Sequence, residues 1–258
     1  MRALVTGACG GIGRAIVAEL AGAGAAVAAC DLPAALADGP PPGGRHAVGF
    51  DVRDAEMLAA GVQEAAGALG GLDAVVANAG VVDTIHRAER FPAEAWAGDV
   101  ETNLTGAFLL ARAAFPALEA AARAGGAPAI VFVSSASAEL GLPGQVAYTA
   151  SKAGLVGLAR TLAAEWGPRG IRVNVVMPGL IATPKVTALP AAMLATMTAA
   201  VPLGRVGAPE DVARTIAFLL GPGAAYVHGQ VLRIDGGLGL SATSLAAGPP
   251  RSARPEQV

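Results

Sequence analysis

"TGACGGIG", Thr6 to Gly13, follows the apolar run Ala3–Val5 and opens a helix-like stretch near residues 11–23. A strand that ends in glycines and turns straight into a helix has a definite geometric use. Gly7 permits a tight turn, Gly11 lets backbone lie close to a pyrophosphate, and Gly13 lets the helix pack tightly on the strand. A merely flexible turn could use the same residues, so the position after the first strand is what carries the reading. Asp31 follows the next apolar run, Ala26–Cys30, eighteen residues beyond Gly13. A carboxylate there can accept hydrogen bonds from both adenosine ribose hydroxyls and would repel a 2′-phosphate. Neither arginine nor lysine occupies positions 32–44. The two signals together point to a dinucleotide, and to NAD over NADP. The plainer use of Asp31 is to cap the segment that follows it.

Outward from this stretch, short apolar runs alternate with helical patterns along the chain. Predicted strands are Ala3–Val5, Ala26–Cys30, Ala47–Phe50, Ala74–Ala77, Ile130–Val133, Arg172–Val176 and Val231–Ile234; predicted helices lie near 11–23, 54–69, 93–124, 147–167 and 209–220. Continuous apolar strands alternating with helices predict a parallel sheet covered on both faces. Residues 1–245 are read as one domain. Prolines and glycines make 32–46 a loop or short helix. The connection 182–208 is long enough to be a substrate loop or lid. Residues 246–258 form a proline-rich tail, expected to be flexible.

The 258 residues are 53% hydrophobic and 15% charged, with a net charge of −2, which suits a folded domain with a large core. No basic stripe is present, so no nucleic-acid partner is expected. The two cysteines, Cys9 and Cys30, are in no metal-ligand or CxxC spacing. No metal is expected, and a reducing compartment fits. Neither a leader pattern nor a bilayer-spanning stretch is recognised, so the protein is expected to be soluble and cytoplasmic, without a membrane partner.

"YTASK", residues 148–152, raises a chemical question. On a helix, Tyr148 and Lys152 lie one turn apart on one face. That is either an ordinary polar surface or an acid/base pair, because a fixed cation favours phenolate and brings its pKa towards neutrality.

With these motifs in order, the chain resembles the classical short-chain dehydrogenase/reductase family over roughly residues 2–240. TGxxxGxG is Thr6–Gly13. "FDVRD" brings Asp51 and Val52. "ANAG", Ala77–Gly80, is similar to the family's NNAG element with alanine in the first place. "ETNLTG" brings Asn103, and "VFVSSAS" brings Ser135, thirteen residues before Tyr148. "MPGLIAT", Met177–Thr183, is similar to the segment that closes over the nicotinamide, and "RIDGG" to the last strand. The implied fold is a Rossmann-type doubly wound parallel sheet of about seven strands in three α/β/α layers.

The resemblance implies roles as well. Tyr148 would exchange a proton with the substrate oxygen, and Ser135 would hydrogen-bond that oxygen. Lys152 would hold the nicotinamide ribose and depress the Tyr148 pKa. Asn103 would hold a water linking Lys152 to solvent. Gly7, Gly11, Ile12, Gly13, Asp31, Asp51, Val52, Asn78, Gly80, Pro178, Ile181 and Thr183 would join Tyr148 and Lys152 in binding NAD. Adjacent strand residues point in opposite directions, so Ser134 would face into the fold. His86 is read as a surface histidine and Cys9 as a small filler. Ser137, Leu142, Gln145, Leu180 and Met193 are the expected pocket walls, with Ala136, Met177 and the loop from Pro184 to Met197.

The implied activity is interconversion of a secondary alcohol and its ketone. The alternative is a 3-oxoacyl-(acyl-carrier-protein) reductase using NADPH, with Arg169 available to an acidic carrier; Asp31 argues against it. A non-catalytic dinucleotide sensor is a further reading, opposed by retention of all four catalytic groups. Alanine-rich helices near 101–123 and 147–167, with the last strand, imply a homotetramer.

Overall fold

Strand alternation divides the core between two faces of one sheet. On the first strand, Leu4 packs into one buried cluster while Ala3 and Val5 pack into the other, as the two-residue period requires. A computed structural model describes residues 1–240. The strands are β1 (Arg2–Thr6), β2 (Ala26–Asp31), β3 (His46–Gly49), β4 (Ala74–Ala77), β5 (Ala129–Val133), β6 (Arg172–Pro178) and β7 (Val231–Ile234). They form a 7-stranded sheet in the order β3-β2-β1-β4-β5-β6-β7, and every pairing is parallel. The strand order reverses between β1 and β4, which opens a crevice at their carboxyl ends.

The helices are α1 (Gly11–Gly22), α2 (Ala55–Leu69), α3 (Ala93–Val100), α4 (Gly106–Arg123), α5 (Ser137–Leu140), α6 (Val146–Trp166), α7 (Pro184–Thr187), α8 (Ala191–Ala199) and α9 (Pro209–Leu220). One face of the sheet is covered by α2, α4 and α6 through Leu58, Leu110 and Leu155. The other is covered by α1 and α9 through Ile16, Leu20, Val212 and Ile216. This is the expected three-layer, doubly wound architecture.

Three details differ from, or refine, the sequence reading. The stretch predicted as one helix over 93–124 is two α-helices joined by a π turn, Glu101–Thr105. Such turns insert a residue without breaking the apolar stripe and recur at functional sites. By length and hydropathy, Ala93–Arg123 could cross a membrane, but Leu110, Ala111, Ala114 and Leu118 are built into the core. The connection 182–208 contains α7 and α8, and Ile181 bridges to Gly207 at its far end. A single 3₁₀ turn, Pro33–Leu36, occupies the proline-rich segment after β2. The tail at 246–258 lies outside the described residues.

Candidate active site

The glycine turn is shaped as its sequence demands. Gly7 has φ +63°, and a Cβ there would sit 2.9 Å from Ala79 Cα. A Cβ on Gly13 would stand 2.0 Å from the Gly7 carbonyl oxygen, so only glycine fits. The amide of Asn78 fastens this turn to β4 by donating to the carbonyls of Thr6 (3.0 Å) and Gly7 (3.1 Å). Gly10 caps α1 with no side chain over the helix N-terminus. The α1 amides are thereby left open to an anion.

Asp31 ends β2 beside this turn. Its carboxylate accepts from the backbone N–H of Cys9 and of Leu32, both at 2.8 Å. The side chain is thus held in place before any ligand is considered. Arg14, beside the glycine turn, donates to the Cys9 carbonyl at 2.9 Å. Asp51 follows β3, and the Arg53 guanidinium beside it holds its carboxyl below the ordinary carboxylate range. Asp54 then caps α2 by accepting from the N–H groups of Glu56 and Met57.

On the far side of the crevice, α6 presents Tyr148 and Lys152 one turn apart, with Lys152 Nζ 5.7 Å from the centre of the Tyr148 ring. Lys152 is 4% exposed, and its ammonium donates to the Val133 carbonyl at 2.9 Å. Burial pushes its pKa down to about 8. Burial raises the phenol, the Ser135 hydroxyl draws it back, and Asp99 raises it again. Ser135 is thus a group that opposes the effect of burial at Tyr148.

Ser134 and Ser135 separate as expected. Ser134 Oγ turns into the fold and donates to the Lys152 carbonyl at 2.7 Å. Ser135 is half-buried beside Tyr148, and its Oγ accepts from the Ser137 N–H (3.2 Å) and hydroxyl (3.0 Å). Asn103 sits in the π turn, fully buried. Its Oδ1 accepts from Val81 N–H at 2.7 Å, and its Nδ2 donates to the Val81 carbonyl and to Ser151 Oγ. Ser151 in turn donates to the Tyr148 carbonyl at 2.8 Å. The Asn103 side chain therefore ties the loop after β4 to the tyrosine helix, which is a positioning role. A Cβ at Gly80 would meet Asn103 Oδ1 and Lys152 Nζ, both at 3.0 Å.

Asp31, Asp51, Asn78, Ser134, Ser135, Tyr148 and Lys152 border one cavity of about 960 Å³, and Asn103 does not; the volume is at the upper end of small-molecule sites. Every residue expected to bind the cofactor lies on its wall: Gly7, Gly11, Ile12, Gly13, Asp31, Asp51, Val52, Asn78, Gly80, Tyr148, Lys152, Pro178, Ile181 and Thr183. The donor set fits a dinucleotide. It offers open helix-terminal amides for a pyrophosphate, an acceptor at the end of β2 for a ribose, and an ammonium across the crevice for a second ribose.

The expected substrate walls fare differently. Ser137 is buried and reaches the site only through Ser135. Leu180 is buried behind the wall, while Leu142 and Met193 are 42% and 52% exposed. None of these, nor Gln145, borders the cavity. Gly141 and Gly144, both with positive φ, flank the Leu142 turn. The wall comes instead from Val81, Val82, Asp83 and Thr84 on one side and Pro184, Lys185 and Val186 on the other. Lys185 pairs with Asp83 across the mouth. His86 is exposed and off the wall. Sequence reasoning also missed Asp99 and Thr102 on the wall. For Asp99 the available signal was its place one turn before Asn103.

A family profile described as Enoyl-(Acyl carrier protein) reductase matches residues 7–239. The (3R)-3-hydroxyacyl-CoA dehydrogenase of Mus musculus is 39% identical over 249 residues, covering 92% of this chain and 95% of that protein. The cis-4-hydroxycyclohexanecarboxylate dehydrogenase of Sinomonas cyclohexanicum is 41% identical over 244 residues, covering 91% and 95%. Among solved structures, a 3-ketoacyl-(acyl-carrier-protein) reductase from Brucella melitensis complexed with NADH superposes with a TM-score of 0.85 at 30% identity, covering 91% of this chain and 96% of that one. With the glycine turn, the β2 carboxylate and the Ser135–Tyr148–Lys152 group on one crevice, the chain belongs to the short-chain dehydrogenase/reductase family and is an oxidoreductase of secondary alcohols and ketones that uses a nicotinamide dinucleotide.

Proposed function

We propose that the protein is an NAD-dependent dehydrogenase of a small secondary alcohol, with Tyr148 as the acid/base. The observation that carries the cofactor choice is Asp31. Its carboxylate is pinned at the end of β2 by two backbone N–H groups, and Arg14, the cation that could have neutralised a 2′-phosphate, is turned onto the Cys9 carbonyl. When bound, NAD supplies the acceptor for the hydride lost from the carbinol carbon. The glycine turn and α1 would hold its pyrophosphate, Asp31 the adenosine ribose, and Lys152 the nicotinamide ribose. Tyr148, as phenolate, takes the proton that leaves the substrate hydroxyl, with the Ser135 hydrogen bond and the Lys152 ammonium beside its ring favouring that form. Ser135 donates to the same oxygen and steadies its charge. Asn103 keeps the loop after β4 and the tyrosine helix in register.

The carrier-protein reductase reading rests on resemblance and on Arg169 as a docking cation. Arg169 is already paired with Glu119 and lies 6.0 Å over the Phe115 ring, which weakens it as a free docking charge. Retention of Ser135, Tyr148 and Lys152 on one wall speaks against a non-catalytic sensor. The family pattern and the exposed aromatic side chains of Trp96 and Phe108 on the α3–α4 stretch, and of Phe218 and Tyr226 near β7, favour a homotetramer. Two unpaired cysteines suit a reducing, cytoplasmic setting.

The test is a panel of secondary alcohols assayed with NAD and NADP side by side. Placing a 2′-phosphate near the Asp31 carboxylate costs about one to several kcal/mol, depending on solvent screening. The expected preference for NAD is therefore roughly ten- to a thousandfold in kcat/KM. Equal use of the two cofactors would overturn the reading of Asp31 and return the carrier-protein reductase to first place.

A further inference from the structure

Asp99 has no part in the chemistry described so far, yet it lies in the same site. It is on α3, one helical turn before Asn103, and is 5% exposed. Its Oδ2 is buried with no hydrogen-bond partner among the described residues. The residue borders the cavity shared by Ser135 and Tyr148 and is close enough to Tyr148 to raise the phenol. Burial pushes the Asp99 carboxyl itself up, Asp83 adds to this, and Lys185 opposes it. The last two are paired with each other at the cavity mouth, so neither supplies Asp99 with a dedicated partner.

A carboxylate oxygen removed from water without a partner is destabilising, and each such atom needs an explanation. Packing does not provide one, because an apolar side chain would fill the space between α3 and α6 without that cost. Retaining an acceptor at the edge of a catalytic cavity makes physical sense if a ligand brings the donor.

We propose that Asp99 is a substrate-recognition residue whose carboxylate accepts a hydrogen bond from a second hydroxyl of the alcohol substrate, so that the enzyme prefers a diol or polyol to a mono-alcohol. This rests on the alcohol dehydrogenase reading. Val81, Val82 and Val186 line the same wall and suit the carbon skeleton of a neutral polyol. The nearby Lys185 disfavours an ammonium as the donor. A substrate carboxylate placed against Asp99 would meet a like charge.

The experiment compares vicinal cyclohexanediol with cyclohexanol as substrates of the wild-type enzyme and of Asp99→Val and Asp99→Asn, with NAD as oxidant. A hydrogen bond to a charged group is worth about ten- to a hundredfold. The wild type should favour the diol. In Asp99→Val the ratio of kcat/KM for diol over mono-alcohol should fall by about that factor, chiefly through KM, and Asp99→Asn, which keeps a neutral acceptor, should fall less. An unchanged ratio overturns the proposal. Equal loss on both alcohols also overturns it, since Asp99 would then act only through Tyr148 or the fold. Direct binding of the two alcohols to Tyr148→Phe loaded with NAD, with and without Asp99→Val, separates recognition from turnover. Diol binding that depends on Asp99 in a protein that oxidises neither alcohol would uphold the recognition and sink the dehydrogenase reading. Diol binding indifferent to Asp99 would sink the recognition alone.

Discussion

Replacing Lys152 by methionine should cripple the enzyme and stabilise the fold. The ammonium is 4% exposed, and the hydrogen bond it makes is to the Val133 carbonyl at 2.9 Å. Burial takes its pKa from 10.5 to about 8, which corresponds to about 3 kcal/mol of destabilisation when the lysine is charged. Methionine keeps most of the stem and its packing, while losing the bond to Val133 costs about 1 kcal/mol. The net gain is about 2 kcal/mol, or about 4–8 °C in Tm for a chain of this size. The pH dependence has a definite sign. Above pH 10.5 both folded and unfolded lysines are neutral and the wild type carries no penalty. As pH falls from there to about 8 the unfolded state gains a proton that the folded state does not, and the wild type loses stability. The advantage of Lys152→Met should therefore be full near neutrality and fall to about zero near pH 10. Thermal unfolding of both proteins across this range, with NADH titrations alongside, provides the assay. Turnover and NADH affinity should both fall. A variant less stable than wild type at neutral pH would refute the picture of an uncompensated buried cation.

Two further outcomes follow from the same geometry. Asp211 accepts hydrogen bonds from Arg205, Ala208 and Arg214; Arg205 is the largest cause of a carboxyl pKa lowered to about 2. Its stabilisation is present above the ordinary carboxylate range and is lost as pH falls through about 2, so Asp211→Asn should cost about 1 kcal/mol at neutral pH after solvent screening, a difference that disappears in acid denaturation profiles. For assembly, light scattering at micromolar concentration should give the mass of four chains, and a monomer would contradict the proposed tetramer.

What could be read from the sequence was whatever local chemistry forces. Gly7 and Gly13 are dictated by backbone that approaches too closely for a Cβ, and Asp31 is placed by the strand that precedes it. Tyr148 and Lys152 meet because four residues make a helical turn. The rest depends on distant partners. The π turn at Glu101–Thr105 leaves no trace, because one inserted residue barely disturbs an apolar helical stripe. Lys152 also reaches back to Val133 on β5, a partner that the YxxxK spacing does not reveal. Leu142 and Met193 look like pocket walls by composition. Both lie off the cavity, whose lining includes Asp83 and Lys185, paired from distant parts of the chain. Asp99 reads as one acid in a polar helix until packing shows it buried.

The most direct measurement of the central claim is single-turnover oxidation of a secondary alcohol by NAD-loaded enzyme, comparing wild type with Tyr148→Phe. Phenylalanine keeps the ring and its packing but has no proton to exchange. The nicotinamide reduction rate should fall by about two to four orders of magnitude while NADH binding is retained. A variant that keeps a tenth or more of the wild-type rate would contradict Tyr148 as the acid/base and, with it, this account of the site.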